Sequence, residues 1–326
     1  MYNEIRLEKG LYRLSGKSFT QALSELDPDS AYADTELAGL DAFERQLKRF
    51  NIRISGAECD VVDKFFTTTE SAVLFPEFVR RAILSGMELP ILEEIVAVNS
   101  QSAGTDYRPF TVALTDNAAY SVTTSEGAAL PETTIKQANA IAATKLGRVI
   151  STSYEAIRFQ KLDLFACTLK CIGSQLANEI AKSALTALTT GATTEGGTAG
   201  GFTFSDLLDL YGLFTSYDLT TLIASPATCS ALMALSGMEE CESDDGGISI
   251  KLPFGPRLFK AKSYTGTGVI GIDKKFALQM ITAGDLVLET DKLIDKQLDR
   301  IAVSICFAFN KMFGDAVKVL TYTAAE

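Results

Sequence analysis

Hydrophobic positions change period several times along this chain, and the longest regular run lies near its middle. Leu162, Phe165, Leu169, Ile172, Leu176, Ile180, Ala184 and Leu188 recur at steps of three and four, which puts one apolar stripe on a single helix. No Pro interrupts the run, and Gly191 follows as a stop. A helix of about 29 residues extends roughly 43 Å at 1.5 Å per residue. The segment ahead of it, from Ser125, is rich in Thr, Ile and Val with Gly and Pro as punctuation, and reads as extended strands. A long helix with one narrow stripe, fed by a long flap of strand, suits a protein built from many copies.

Upstream, Leu37, Leu40, Phe43, Leu47 and Phe50 predict an amphipathic helix capped by Asp34 or Thr35. No neighbouring periodic segment offers it a local partner. It is either an ordinary surface helix or an arm that packs on another subunit. The apolar run from Phe65 to Ile83, broken by Pro76, joins this arm to the body. Residues 99–146 form the flap, with turn signals at 99–102 and 115–117 and few large apolar residues between Thr111 and Pro131. So long a stretch without core residues is out of place inside a compact monomer. It lies on a neighbouring copy, or it is a disordered loop.

Residues 202–283 read as a second α/β unit. Leu207, Leu208, Tyr211 and Phe214 mark one helix, and Ser225-Pro226 caps another. From Ile301 to Asn310 large and small residues alternate with a period of two. Phe313-Gly314-Asp315 then turns the chain, and 316–322 is expected to pair back as a hairpin lying against the long helix. That contact makes the first domain discontinuous.

Composition narrows the function. With 326 residues the chain is long enough for two domains. Its net charge of −11 argues against tight binding to phosphate backbones. There is no histidine, which removes Ser-His-Asp and Cys-His catalysis and the commonest zinc ligand. No nucleophile has a base beside it, so no catalytic or cofactor-binding residue is assigned. The start, MYNEIRLEKG, has no apolar signal region, and Ile301–Phe309 is half the length needed to span a bilayer. No membrane association is expected, and the chain is expected to be cytosolic when made. Cys167 and Cys171 share a helix face but lack further ligands; the six cysteines are expected to be small buried hydrophobes, with no metal. The Gly/Thr-rich 189–201 lacks a G-K-[ST] ending and follows a helix, so it reads as a hinge. The acids of EECESDDGG do not fit a calcium loop and read as a solvated turn.

Several blocks follow one another along the chain: Glu126-Gly127-Ala128 with Pro131-Glu132, a strand into Ser151, and the long helix closed by Thr190-Gly191. Leu222-Ile223-Ala224-Ser225-Pro226 follows, then Gly268 to Asp273 and Ala283-Gly284-Asp285-Leu286. Over roughly residues 65–323 the chain resembles the major capsid proteins of tailed bacteriophages. The resemblance implies an α+β, HK97-like capsid fold. It implies an N-terminal arm and junction (1–98), an extended loop (99–146), a peripheral domain with a spine helix (147–190 plus 284–326) and an apical domain (191–283). It implies a structural protein without enzymatic activity or cofactor. Copies would assemble as hexamers and pentamers into an icosahedral head that encloses double-stranded DNA without reading its sequence. Portal, scaffolding and decoration proteins are the implied partners, and the virion, assembled in the host cytoplasm, is the implied location. Contacts between copies are expected at Phe43, Leu47, Phe50, Tyr107, Arg108, Glu126 and Glu132. The alternative is the shell of an encapsulin-type nanocompartment. The family's type member staples its shell with lysine–asparagine isopeptide bonds. Here no lysine lies between Lys64 and Lys136 and no asparagine between Lys292 and Ile305, so no such staples are expected.

Overall fold

The stripe from Leu162 to Leu188 forms one uninterrupted helix, Leu162–Thr189. Leu162, Leu169, Ala184 and Leu188 along it are fully buried, and Gly191 leaves it with φ +62°. The computed structural model describes residues 5–321 apart from 14–16, 89, 103, 105, 113–134, 198–200, 239–241, 245–248, 294 and 296.

In chain order the α-helices are α1 (Phe19–Leu26), α2 (Ala42–Arg49), α3 (Thr69–Gly86), α4 (Pro90–Ile95), α5 (Tyr154–Arg158), α6 (Leu162–Thr189), α7 (Phe204–Gly212) and α8 (Pro226–Met233). The strands begin with β1 (Val96–Gln101), β2 (Asp106–Tyr107), β3 (Phe110–Val112), β4 (Ile135–Gln137), β5 (Ile141–Ala142), β6 (Thr144–Ser153), β7 (Thr193–Gly196) and β8 (Thr221–Ala224). They continue with β9 (Glu242–Asp244), β10 (Ser249–Lys251), β11 (Arg257–Lys260), β12 (Val269–Ile272), β13 (Leu278–Thr282), β14 (Val287–Leu293), β15 (Leu298–Lys311) and β16 (Val317–Thr321).

The chain divides into two units, each assembled from separated segments. The first holds Met1–Glu88, Gly147–Ala177 and Leu286–Ser304; the second holds Leu89–Leu146, Asn178–Asp285 and Ile305–Glu326. Helix α6 and strand β15 run from one unit into the other.

In the first unit, the phenylalanines of α3 and of the segment before it meet α6. Phe75 and Phe78 lie 6.2 and 6.4 Å, centroid to centroid, from Phe165, and Phe65 is fully buried beside them. β14 pairs antiparallel with the first half of β15, and β6 joins the same sheet through β15. Gly147 of β6 lies against the Val303 carbonyl, where a Cβ would stand 2.6 Å from the oxygen. The N-terminal region packs on this body. The Arg45 guanidinium, 1% exposed, organises it: Nε donates to Asp27 Oδ2 at 3.1 Å, Nη1 to Asp29 Oδ1 at 2.8 Å and to the Leu40 carbonyl at 2.5 Å.

Helix α2 begins at Ala42, seven residues after Thr35, the later of the two expected caps. The Thr35 hydroxyl is used in a turn, accepting from Leu37 N–H and donating to the Tyr32 carbonyl. Gly39 then takes φ +82°. The helix starts instead at Asp41, where Asp41 and Glu44 form a reciprocal capping box.

The second unit is built on a sheet of order β7-β16-β12-β8-β11-β10-β9. Successive residues of its central strands serve opposite cores, because strand side chains alternate faces. Leu222 and Val269 pack with Leu207, Leu210, Cys229 and Leu232 of α7 and α8. Ile223 and Ile270 pack with Ala184, Leu185 and Leu188 of α6. The predicted helix after Ser225-Pro226 is present as α8, with the Ser225 hydroxyl accepting from Thr228 N–H.

Two expectations are corrected in this unit. β16 does not pair with β15: it lies between β12 and β7 in the seven-stranded sheet. The turn at Gly314–Ala316 hands the chain from one sheet to another, and Val317 and Val319 bury their side chains beside Ile270 and Ile272. The partners of β15 are β13, over Phe307–Lys311, and β14, over Leu298–Ser304. The Gly/Thr segment expected to be a hinge contributes strand β7, parallel to β16 from Thr193 to Gly196.

Candidate assembly surfaces

Each residue expected to touch another copy has a defined place, except Glu126 and Glu132, which lie outside the described residues. Phe43 and Leu47 are 2% and 4% exposed and are packed in cis. The Arg81 guanidinium of α3 sits 4.4 Å from the Phe43 ring centroid, and Arg81 also binds the capping residue Asp41 at 2.5 Å. Phe50 is half-buried and lies under Arg49. The expectation that Phe43 and Leu47 reach another chain is therefore corrected: the apolar face of α2 is already used up by its own body. The first unit supplies the partner that the local sequence lacked.

Tyr107 is also tied to its own chain. Gln279 Nε2 donates to the Tyr107 hydroxyl at 3.0 Å and to Ser100 Oγ at 2.8 Å, while Asn310 Nδ2 donates to Gln279 Oε1 at 3.2 Å. This polar cluster fixes the root of the flap on β1, β13 and β15. Arg108, next along, is exposed.

Beyond that root the flap continues as two short antiparallel pairs, β2 with β5 and β3 with β4. On the second pair Phe110 is 70% exposed and Ile135 is 65% exposed. Two large apolar side chains this open on a two-stranded pair are unusual on a monomer's surface. In sequence they are isolated apolar residues in a segment otherwise poor in them, so no periodicity marks them.

The first unit carries its own exposed apolar residues: Val149 on β6, Phe159 after α5 and Leu164 on α6, the ring of Phe159 being the most open. Leu164 borders a cleft of about 360 Å³ lined also by Ile150, Ala156, Ile157 and Phe165. The register of α6 explains this. Leu164 falls off the buried stripe, as do Cys167 and Cys171, which are exposed rather than buried as expected.

Among the described residues, no cluster of three or more His, Cys, Asp or Glu side chains is arranged for a metal ion. No helix among them is long and apolar enough to cross a membrane.

No protein-family model and no curated protein matches the chain by sequence. Solved structures match it by shape. The capsid of an empty GTA particle superposes with TM-score 0.55 at 16% identity, over 72% of this chain and 90% of that one. A chain of the Microbacterium phage Oxtober96 structure gives TM-score 0.53 at 13% identity, over 70% and 90%. The virus-like particle from Pyrococcus furiosus gives TM-score 0.51 at 12% identity, over 75% of this chain and 98% of its own. The chain has an HK97-like fold. The α+β arrangement described above, with the long helix α6, is this chain's version of it. At such identities the HK97-like likeness is one of fold, so function rests on the surfaces just described.

Proposed function

We propose that this protein is a major capsid protein: a structural chain, not an enzyme, that self-assembles into a closed shell. The carrying observation is the HK97-like fold shared with capsid structures over about three-quarters of the chain. The exposed apolar residues support it. Phe110 and Ile135 on the flap, and Val149, Phe159 and Leu164 on the first unit, are the kind of surface that a second copy covers. In this reading hexamers and pentamers build an icosahedral head around double-stranded DNA, in the virion, with a portal and possible scaffolding or decoration partners. In this reading 1–98 is the N-terminal arm and junction, 99–146 the extended loop, 147–190 with 284–326 the peripheral domain and 191–283 the apical domain. The acidic chain suits a wall that encloses DNA without holding it.

The experiment is assembly of purified protein, followed by sedimentation and electron microscopy. The wild-type chain is expected to form closed shells. Phe110→Asp with Ile135→Asp is expected to give folded, unassembled subunits with the wild-type melting temperature. Particles of the double variant indistinguishable from wild type would reject the flap as an assembly element. The virus-like particle likeness keeps a nanocompartment shell as the second reading. Shell contents separate the two: packaged DNA favours a head, and a protein cargo favours a compartment.

A further inference from the structure

Helix α3 contains Pro76. Proline offers no N–H, so the Ala72 carbonyl has no helical donor at 76, and the ring crowds the turn before it. One residue further on, a side chain from the far N-terminus enters the ladder. Glu77 N–H donates to the Tyr12 hydroxyl at 3.1 Å, and that hydroxyl donates to the Val73 carbonyl at 2.8 Å. A single phenol oxygen thus bonds both members of the pair that a regular helix joins directly, as inserted groups do at helix bends. The Tyr12 ring stacks on Phe19, centroids 4.3 Å apart. The same turn receives a second contact, the Thr20 hydroxyl donating to Glu77 Oε1 at 2.8 Å.

We propose that residues 5–13 form a releasable strap, with the Tyr12 hydroxyl as the pin that bridges the ladder of α3 beside Pro76. Three features mark the docked strap as detachable. Glu77 is 1% exposed, yet its Oε2 is buried without a hydrogen-bond partner. The charge itself is paired, since Oε1 accepts from the Arg81 guanidinium at 3.0 Å, but the unsatisfied second oxygen is a cost that the docked state carries. The strap also leaves space beneath it: Lys9 forms one wall of a cleft of about 410 Å³ lined by Ala72, Phe75, Pro76, Ile157, Asp299 and Ile301. Finally, the Tyr12 side chain keeps 36% of its surface open to solvent. Leu7, 3% exposed, and the bond from Arg49 Nη1 to the Ile5 carbonyl are the strap's other attachments. Release would give α3 a second state, unpinned at Glu77, with the cleft open. The strap stands independently of the shell-forming reading, and its failure leaves that reading untouched.

Hydrogen exchange on the full chain, read residue by residue, tests it with two substitutions. Tyr12→Phe keeps the ring stack and removes the pin. The Glu77 amide and the amides of 5–13 are expected to exchange about five- to tenfold faster, the loss of roughly one hydrogen bond. Amides of α6 and of the seven-stranded sheet are expected to stay within about twofold, as a local opening requires. Pro76→Ala restores an N–H and lets the ladder close. It is expected to slow exchange at Glu77 while speeding it over 5–13, because the hydroxyl then loses both partners. Opposite signs at Glu77, with the same sign over 5–13, are the signature. The strap is overturned if Tyr12→Phe leaves Glu77 unchanged, or if Pro76→Ala leaves 5–13 fully protected. It is equally overturned if either variant speeds all amides together or fails to fold.

Discussion

Gly86 of α3 and Gly173 of α6 meet where no side chain fits. A Cβ on Gly86 would lie 2.1 Å from the Lys170 carbonyl oxygen, and one on Gly173 would lie 2.1 Å from the Ile83 carbonyl oxygen. Both obstacles are backbone, which cannot swing aside as a side chain does. Glycine inside a helix ordinarily costs about 1 kcal/mol relative to alanine. Here the clash outweighs that gain, and Gly173→Ala is expected to destabilise the chain by about 2 to 3 kcal/mol. A lower urea midpoint with unchanged slope is the expected reading. A midpoint at or above wild type would show that the helices separate freely.

Phe43→Ala is expected to lower the stability of the unassembled subunit by about 3 to 5 kcal/mol, because the ring is buried in its own chain. Leu47→Ala is expected to follow in the same direction. Melting of the isolated subunit distinguishes this from an arm that folds only on a neighbour: in that case the monomer's melting point would not move.

Arg45→Ala removes one side of a buried ion pair and leaves Asp27, 0% exposed, facing it. The expected loss is about 3 to 5 kcal/mol. Arg45→Lys is not expected to restore it, since one ammonium cannot reach Asp27, Asp29 and the Leu40 carbonyl together. Chemical denaturation of the two variants side by side checks this; full rescue by lysine would mean that charge alone matters.

Thiol reactivity should split the cysteines. Burial pushes the Cys229 thiol up to about 11, against a smaller opposing pull from the Lys260 ammonium. At neutral pH it is protonated and enclosed. Cys167 and Cys171 are exposed. Maleimide labelling of the native chain is expected to mark 167 and 171 first, and 229 only after unfolding, as read by peptide mass. Early labelling of Cys229 would contradict its packing.

Burial first, and then the Glu77 carboxylate, raise the pKa of Tyr12 above the ordinary 10.0. The docked state therefore favours the protonated hydroxyl. Its contribution is complete below pH 10 and is lost as pH climbs above that value, where an undocked tyrosine ionises. Proteolytic clipping within 5–13 should be constant from about pH 7 to 9 and accelerate above about pH 10. A Tyr12→Phe chain should show no such rise.

The sequence made α6 legible because eight apolar residues kept one helical face over 28 positions. The exposure of Cys167 and Cys171 was legible too, since both fall off that stripe, but they were read by residue type instead of by register. The start of α2 was misplaced because Thr35 has the chemistry of a cap, and only the glutamate three residues after Asp41 distinguishes the real one. The partner of β16 was not legible. A turn between two strand-like segments looks like a hairpin, while pairing with β12, nearly fifty residues upstream, is decided by which core Val317 and Val319 fill. The bonds of Tyr12 to Val73 and Glu77 were invisible for the same reason: only the proline between them carries a local signal.

The first unit is closed by segments that the ribosome makes far apart in time. Its opening stretch ends at Glu88 and its last runs from Leu286 to Ser304. At about 5 to 20 residues per second, synthesis to that point takes roughly 15 to 60 s. For most of that interval the Phe65, Phe75 and Phe78 cluster waits without β14 and β15. A chain cut short before Leu286 lacks a whole segment of this unit, so prematurely terminated products are excluded from any assembly that depends on it.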